Sequence, residues 1–296
     1  KNLFDNPYLR TERLNYLHHL DGIISAPGIF LATQMAAMLD KQKPVTIDAS
    51  DFDILLTTCP LNLCSLPGPI LVQTIHDLIP LEYFAHNEDQ LMFTHRLQAC
   101  LPARRLYVSE ATAKKFHENI FETKRTNPQS KQLSPELIER VIVQPPSLNL
   151  PDYLLANPKD TGDFEPGSYL LRAGQAPEQA ITKRTQRMNP FRYLLFNSSV
   201  EARKNLFLMA EAYAQSGLSN QGIHLCVTGK LKNDDYSNAV KAIVQQEPGI
   251  LLTGYVDEAT KLDLYLNALV LLSPSLVEGF GIPVLDAACL GLPAIV

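Results

Sequence analysis

At 296 residues the chain is long enough for two domains, and a composition of 46% hydrophobic and 19% charged residues describes a globular, soluble protein. A net charge of -5 carries no electrostatic footprint for nucleic acid. The five cysteines (Cys59, Cys64, Cys100, Cys226, Cys289) are odd in number and scattered. Cys59 and Cys64 lack a second pair, which argues against zinc and for free thiols in a reducing cytoplasm. No run is long enough to span a membrane and no signal peptide opens the sequence, so a peripheral contact at the inner face of a membrane is the membrane role left open. Lys1 is not a natural start, and Ala294-Ile295-Val296 reads as the beginning of a buried strand; the sequence is expected to be part of something longer.

Residues 1 to 50 carry weak signals: helical character over Asn15 to Leu20 and Ile29 to Leu39, and a short strand over Asp21 to Ser25. Asp51-Phe52-Asp53 spells D-x-D, a metal-holding pattern elsewhere, but here it leads into a strand, Ile54 to Thr58, and strand entry is the better reading. Ile70 to Ile75 is a buried strand, and His76-Asp77 follow at its carboxyl end, the edge where open α/β sheets bind ligands. An imidazole there can donate to a sugar hydroxyl or a phosphate oxygen; the alternative is that His76 caps a turn with Asp77. A helix is predicted over 88 to 103, with Leu91, Phe93, Leu97 and Leu101 as its apolar positions. Arg104-Arg105 are expected to precede a strand at Leu106 to Val108, and Ser109 to cap the next helix. A strand over Val141 to Val143, ended by Pro145-Pro146, closes a first domain of residues 1–146.

Residues 147–190 read as a linker or insertion, with a basic run at Lys183 to Arg187 whose plainest role is a solvated face. The second domain, 191–296, opens with a strand at Tyr193 to Phe196, a polar loop, and Glu201-Ala202-Arg203-Lys204-Asn205 at the start of a helix. Cations at such a place can neutralise a diphosphate, or can simply form a charged helix cap. Lys204 suits the first role better than Arg203, since neighbours in a helix point apart. Strands follow at Ile223 to Thr228, with Lys230 on its turn as a candidate phosphate contact, and at Ile250 to Val256. The strand–helix alternation predicts parallel sheets in both domains.

The last stretch joins a strand (Ala268 to Leu272) to a helix through Glu278-Gly279-Phe280-Gly281-Ile282-Pro283. The glycines allow close backbone approach, and Pro283 can open a helix at its first position. The free N–H groups and dipole of that helix favour an anion. Glu278 and Asp286, the latter expected in the first helical turn, would repel a phosphate but can each accept two O–H bonds, as from a sugar or a ribose diol. A phosphate between two polyols describes a nucleotide-sugar; a plain α/β turn with a solvated Glu278 is the alternative.

Glu-Gly-Phe-Gly-Ile-Pro-Val-Leu-Asp resembles the E-x7-E signature of the retaining glycosyltransferases of family 4, whose usual form is E-G-F-G-[LI]-P-x-L-E-A-M-A-x-G-x-P. Asp286 departs from it, standing where the family has Glu. Thr74-Ile75-His76-Asp77-Leu78, Val108 to Thr112 and Glu201 to Asn205 are also similar to family segments, and the resemblance covers roughly 50 to 146 and 190 to 296. It implies the GT-B fold, an α/β architecture of two Rossmann-like domains facing across a cleft. It implies a metal-independent hexosyltransferase without cofactor, acting on a nucleotide-sugar donor and a saccharide or lipid-linked acceptor in polysaccharide or glycoconjugate synthesis. By the same resemblance Lys204, with Arg203, stabilises the leaving diphosphate, and Glu278 orients the donor sugar. Asp286 meets the ribose, Val256 lies near the base and His76 lines the opposite wall, with Gly279, Phe280 and Gly281 in the binding loop. GDP-mannose is the first donor it suggests.

Two rival classes fit parts of the pattern. An NAD-type oxidoreductase would need G-x-G-x-x-G after its first strand, and Gly279-Phe280-Gly281 continues into Ile-Pro instead. A non-catalytic nucleotide-sugar binder or scaffold of the same fold is compatible with Asp286.

Overall fold

The computed structural model describes residues 28–38, 43–66, 68–83, 88–121, 139–148, 169–171, 186–188 and 191–296. The elements expected at Asn15 to Leu20 and Asp21 to Ser25 lie outside these, as does most of the basic run. The first half contains α1 (Ile29–Met38), β1 (Val45–Ile47), β2 (Ile54–Thr57), β3 (Leu63–Ser65), β4 (Ile70–Ile75), α2 (Ile79–Glu82), α3 (Gln90–Ala99), β5 (Arg104–Tyr107), α4 (Glu110–Phe116) and β6 (Glu139–Val141). Strands β2-β4-β5-β6 form a wholly parallel sheet, and β1 and β3 pair as a separate parallel ribbon. Ile75, Leu78, Phe93, Leu97, Tyr107, Phe116 and Ile120 fill the space between this sheet and its helices. Each such side chain contributes about 1.5–3 kcal/mol by leaving water.

Two boundaries differ from the sequence reading, and one buried arginine explains both. Arg104 and Arg105 lie within β5 rather than before it. Arg105 is buried and gives its Nε to Glu139 at 2.8 Å and its Nη1 to the carbonyls of Cys100, Leu101 and Ala103 at 2.7–3.2 Å. This pulls Glu139 opposite Arg105, so β6 begins at Glu139, while the apolar Val143 stands exposed. Tyr107 donates to the same carboxylate at 2.9 Å, and the His117 ring lies 2.6 Å from its other oxygen.

Within the stretch read as a linker, β7 (Tyr169–Leu171) and β8 (Gln186–Met188) pair antiparallel. The second half continues with β9 (Tyr193–Asn197), α5 (Leu206–Ser216), β10 (His224–Thr228), α6 (Asp235–Gln246), β11 (Ile250–Gly254), α7 (Glu258–Asn267), β12 (Val270–Leu272), α8 (Ile282–Cys289) and β13 (Ala294–Ile295). Its parallel sheet has the order β11-β10-β9-β12-β13. One core cluster holds Leu148 with Tyr193, Leu195, Leu264, Leu271 and Ala287; the other holds Phe196, Leu206, Leu225 and Val240. The chain therefore joins the second half's core already at Leu148.

Burial works to raise the Glu139 carboxyl, but the bonds and charge of Arg105, with Tyr107 and His117, outweigh it and hold the group below the usual 4.5. A carboxyl depressed in the folded state contributes stability that is complete above its unfolded value and is lost as pH falls through the lower folded value. Acid titration of the melting temperature is expected to show a steeper fall below about pH 4.5 for the wild type than for Glu139→Gln. Arg105→Met, which takes the guanidinium from a half-buried carboxylate that keeps only Tyr107 and His117, is expected to cost about 2–3 kcal/mol at neutral pH.

Candidate functional site

In the second sheet the strand order reverses beside β9, whose neighbours are β10 on one side and β12 on the other. Loops leaving the carboxyl ends of β9 and β12 diverge there and open a crevice, the usual ligand position in such sheets. The first loop ends in a tight turn, Ala202–Lys204, closed by Asn205 in a left-handed conformation (φ 58°). The second carries the Gly-rich stretch and is tied to the first by Leu276 N–H donating to the Arg203 carbonyl at 2.8 Å.

Side chains from the two loops converge. Lys204, only 7% exposed, donates through Nζ to Glu278 Oε1. The Arg203 guanidinium lies 3.5 Å from Glu278 Oε2, donates to the Val277 carbonyl at 3.4 Å and pairs with Glu201 at 3.1 Å. Glu201 also accepts from Lys232 at 2.9 Å. Burial works to raise Glu201, but the bonds and charges of Lys232 and Arg203 outweigh it and hold the carboxyl below its usual range. The expectation that Arg203 points away from Lys204 is corrected. These residues sit on a single 3-10 turn ahead of the α-helix, and both cations reach Glu278.

Gly279 touches the first half of the molecule. A Cβ there would overlap the His76 carbonyl oxygen and come within 2.9 Å of the Asp77 Cβ, so no larger residue fits. Its own carbonyl accepts from Ser109 Oγ at 2.7 Å and Thr112 Oγ1 at 3.2 Å. Ser109 is the N-cap of α4, as predicted, accepting from the Thr112 N–H at 3.0 Å. The His76 ring is exposed, with Nε2 2.5 Å from the Thr58 carbonyl.

Gly281, at φ 89°, is the N-cap of α8 and provides no side-chain cap, which leaves the helix N-terminus open. Ile282 is the first helical residue, so Pro283 holds the second position rather than the first, and Asp286 lies in the second turn. Beside this helix is a cavity of about 380 Å³ lined by Ser147, Asn197, Ser198, Lys230, Lys232, Tyr255, Val256, Lys261, Ile282 and Asp286, among others. Lys261 pairs with Glu258 at 2.7 Å, while Lys230 has no ion-pair partner among the described residues. At the cavity floor Thr228 donates to Asn197 at 2.6 Å and Asn197 to the Tyr265 hydroxyl at 2.8 Å; burial, reinforced by the nearby Asp286 charge, pushes the Tyr265 phenol up.

Thus Lys204, Arg203 and Glu278 form one cluster, Gly279 and His76 meet at a seam between the halves, and Lys230, Val256 and Asp286 line one cavity. Phe280, on the same loop, is partly exposed. Sequence reasoning missed Ser147, Glu201, Lys232, Tyr255 and Lys261. Lys232, two residues beyond Lys230 after β10, had a readable position; Ser147 had none. Asp51 and Asp53 are exposed, and no three His, Cys, Asp or Glu side chains converge among the described residues.

Residues 178–296, which hold all of this second sheet, match the family model described as glycosyl transferases group 1. This segment is similar to the group 1 glycosyltransferases. The fold of the chain is GT-B. It superposes on WaaG, a glycosyltransferase involved in lipopolysaccharide biosynthesis, with a TM-score of 0.53 at 18% identity, covering 82% of this chain and 59% of that one. A glycosyltransferase from Rickettsia africae matches with a TM-score of 0.51 at 15% identity, covering 93% of this chain and 64% of that one. The chain thus spans less than two thirds of either protein's length. No curated protein sequence matches it. The matched segment carries the lysine–glutamate cluster on its own two loops, and the preceding half supplies the His76–Ser109 side of the seam.

Glu278→Gln leaves the Lys204 ammonium buried without a full counter-charge. It is expected to lower stability by about 2–3 kcal/mol in denaturant unfolding, more than Lys204→Met, which removes the buried charge itself. Gly279→Ala is expected to separate the loop from His76. Hydrogen exchange should then accelerate at Thr112 and around Phe280 while the β9–β12 core remains protected.

Proposed function

We propose that this protein is a retaining glycosyltransferase that moves a sugar from a nucleotide-sugar to an acceptor hydroxyl in polysaccharide or glycoconjugate synthesis. The supporting observation is the convergence of Lys204, Arg203 and Glu278 at the strand-order reversal, beside an uncapped helix start and a lysine-lined cavity. The cavity accepts the nucleoside, with Val256 and the exposed Tyr255 ring beside the base. The diphosphate lies toward the α8 N-terminus, where the open N–H groups and the helix dipole favour negative charge.

As the bond from the anomeric carbon to the phosphate oxygen breaks, charge grows on the departing diphosphate. Lys204, buried, and Arg203, half-buried, both held beside Glu278, stabilise that charge with little reorganisation. Glu278 keeps acceptor capacity for the donor sugar's hydroxyls beyond its bonds to the two cations. The acceptor oxygen attacks from the face the phosphate leaves, and a phosphate oxygen takes its proton, so configuration is retained without a protein nucleophile. His76, at the seam, faces this step from the other half. GDP-mannose is the first donor to try.

Calorimetric titration with UDP, GDP and ADP, and with their sugar conjugates, tests the reading on the wild type and Lys204→Ala. One nucleotide is expected to bind selectively, about tenfold or more weakly to the variant, with transfer rates falling about 10²–10³-fold. Absence of binding by all of them to the folded protein would overturn it.

A further inference from the structure

Asp286 stands where the resemblance places a ribose contact, yet its exposure is 0%. What covers it is Ser147. The Ser147 backbone N–H donates to Oδ1 at 2.6 Å, and its hydroxyl donates to Oδ2. One residue thus presents two donors to the two oxygens of one carboxylate, which is the pattern a vicinal diol presents with its two O–H groups. Ser147 is itself exposed and lines the same cavity as Asp286, so a ligand entering there meets the serine first. Leu148, next in the chain, is buried in the second half's core and holds the serine in place from behind. An aspartate, one methylene shorter than glutamate, keeps its carboxylate withdrawn beneath the serine instead of projecting past it.

We propose that Ser147 competes with the 2′,3′-diol of the donor's ribose for the Asp286 carboxylate. Ser147 thereby sets how much the diol contributes to nucleotide binding, and binding a ribonucleotide releases the Ser147 clasp. This rests on the nucleotide-sugar reading above. The exchange is balanced in hydrogen bonds: two donors leave the carboxylate and two arrive, while the freed serine N–H and hydroxyl turn to water. The net gain from the diol is therefore small in the wild type and larger when the competing hydroxyl is absent.

The test compares UDP, GDP and ADP with their 2′,3′-dideoxy counterparts, by calorimetry, on the wild type and Ser147→Ala. Exchange of the Ser147 amide proton is followed in the wild type with and without nucleotide. Ser147→Ala is expected to bind the ribonucleotide roughly three- to tenfold more tightly and the dideoxy form unchanged. The Ser147 amide is expected to exchange faster in the ribonucleotide complex than in the free protein, the reverse of ordinary protection by a ligand. Equal effects of the substitution on both nucleotides, or a Ser147 amide protected further on binding, would overturn the competition and leave the nucleotide-sugar reading standing. If neither protein binds any of the nucleotides, both fall together.

Discussion

A lysine ammonium withdrawn almost entirely from water is tolerable only against a negative charge held close by, and for Lys204 that charge is Glu278. The two residues are far apart in the chain and meet because β9 and β12 are neighbours in the sheet. Placing one residue on the loop after each strand, at the point where the order reverses, brings the cation and the acid into the same crevice. The backbone bond from Leu276 to Arg203 locks the loops in that relation, so the pair is a consequence of topology before it is one of side-chain choice.

Around this pair the charges alternate along a connected row: Lys232, Glu201, Arg203, Glu278, Lys204. Each acid lies between two cations, so an arriving anion would meet positive groups already oriented, with only the exposed lysine at the outer end free to move at little cost. The Arg105–Glu139 pair in the first half makes a contrast. There a guanidinium spends its donors on three carbonyls and one carboxylate, and its effect is to set the register of β5 against β6.

Much of the fold was legible because it is written locally. The apolar run at Ile70 to Ile75 and the Ser109 cap need only a few neighbouring residues to be recognised, and both appear where the pattern put them. The Gly-rich loop was readable as a close approach, but not what it approaches, since the His76 carbonyl is some two hundred residues away in sequence. The misread positions have the same origin. Arg105 draws Glu139 into the sheet across 34 residues, and Ser147 reaches Asp286 across 139, distances over which no periodicity carries information. Pro283, expected at the first helical position, takes the second, because proline suits either and only the left-handed Gly281 decides between them. The site residues were found as types, cations and acids at strand ends, while their pairing required the assembled sheet.

The seam at Gly279 has a mechanical meaning. The halves are fastened there by two hydroxyl bonds to a single carbonyl, and a second time where the chain passes from β6 through Ser147 into the other core. Both fastenings land on the Gly-rich loop and the helix it opens, so a displacement of the first half is felt first by the segment that carries Glu278 and Asp286.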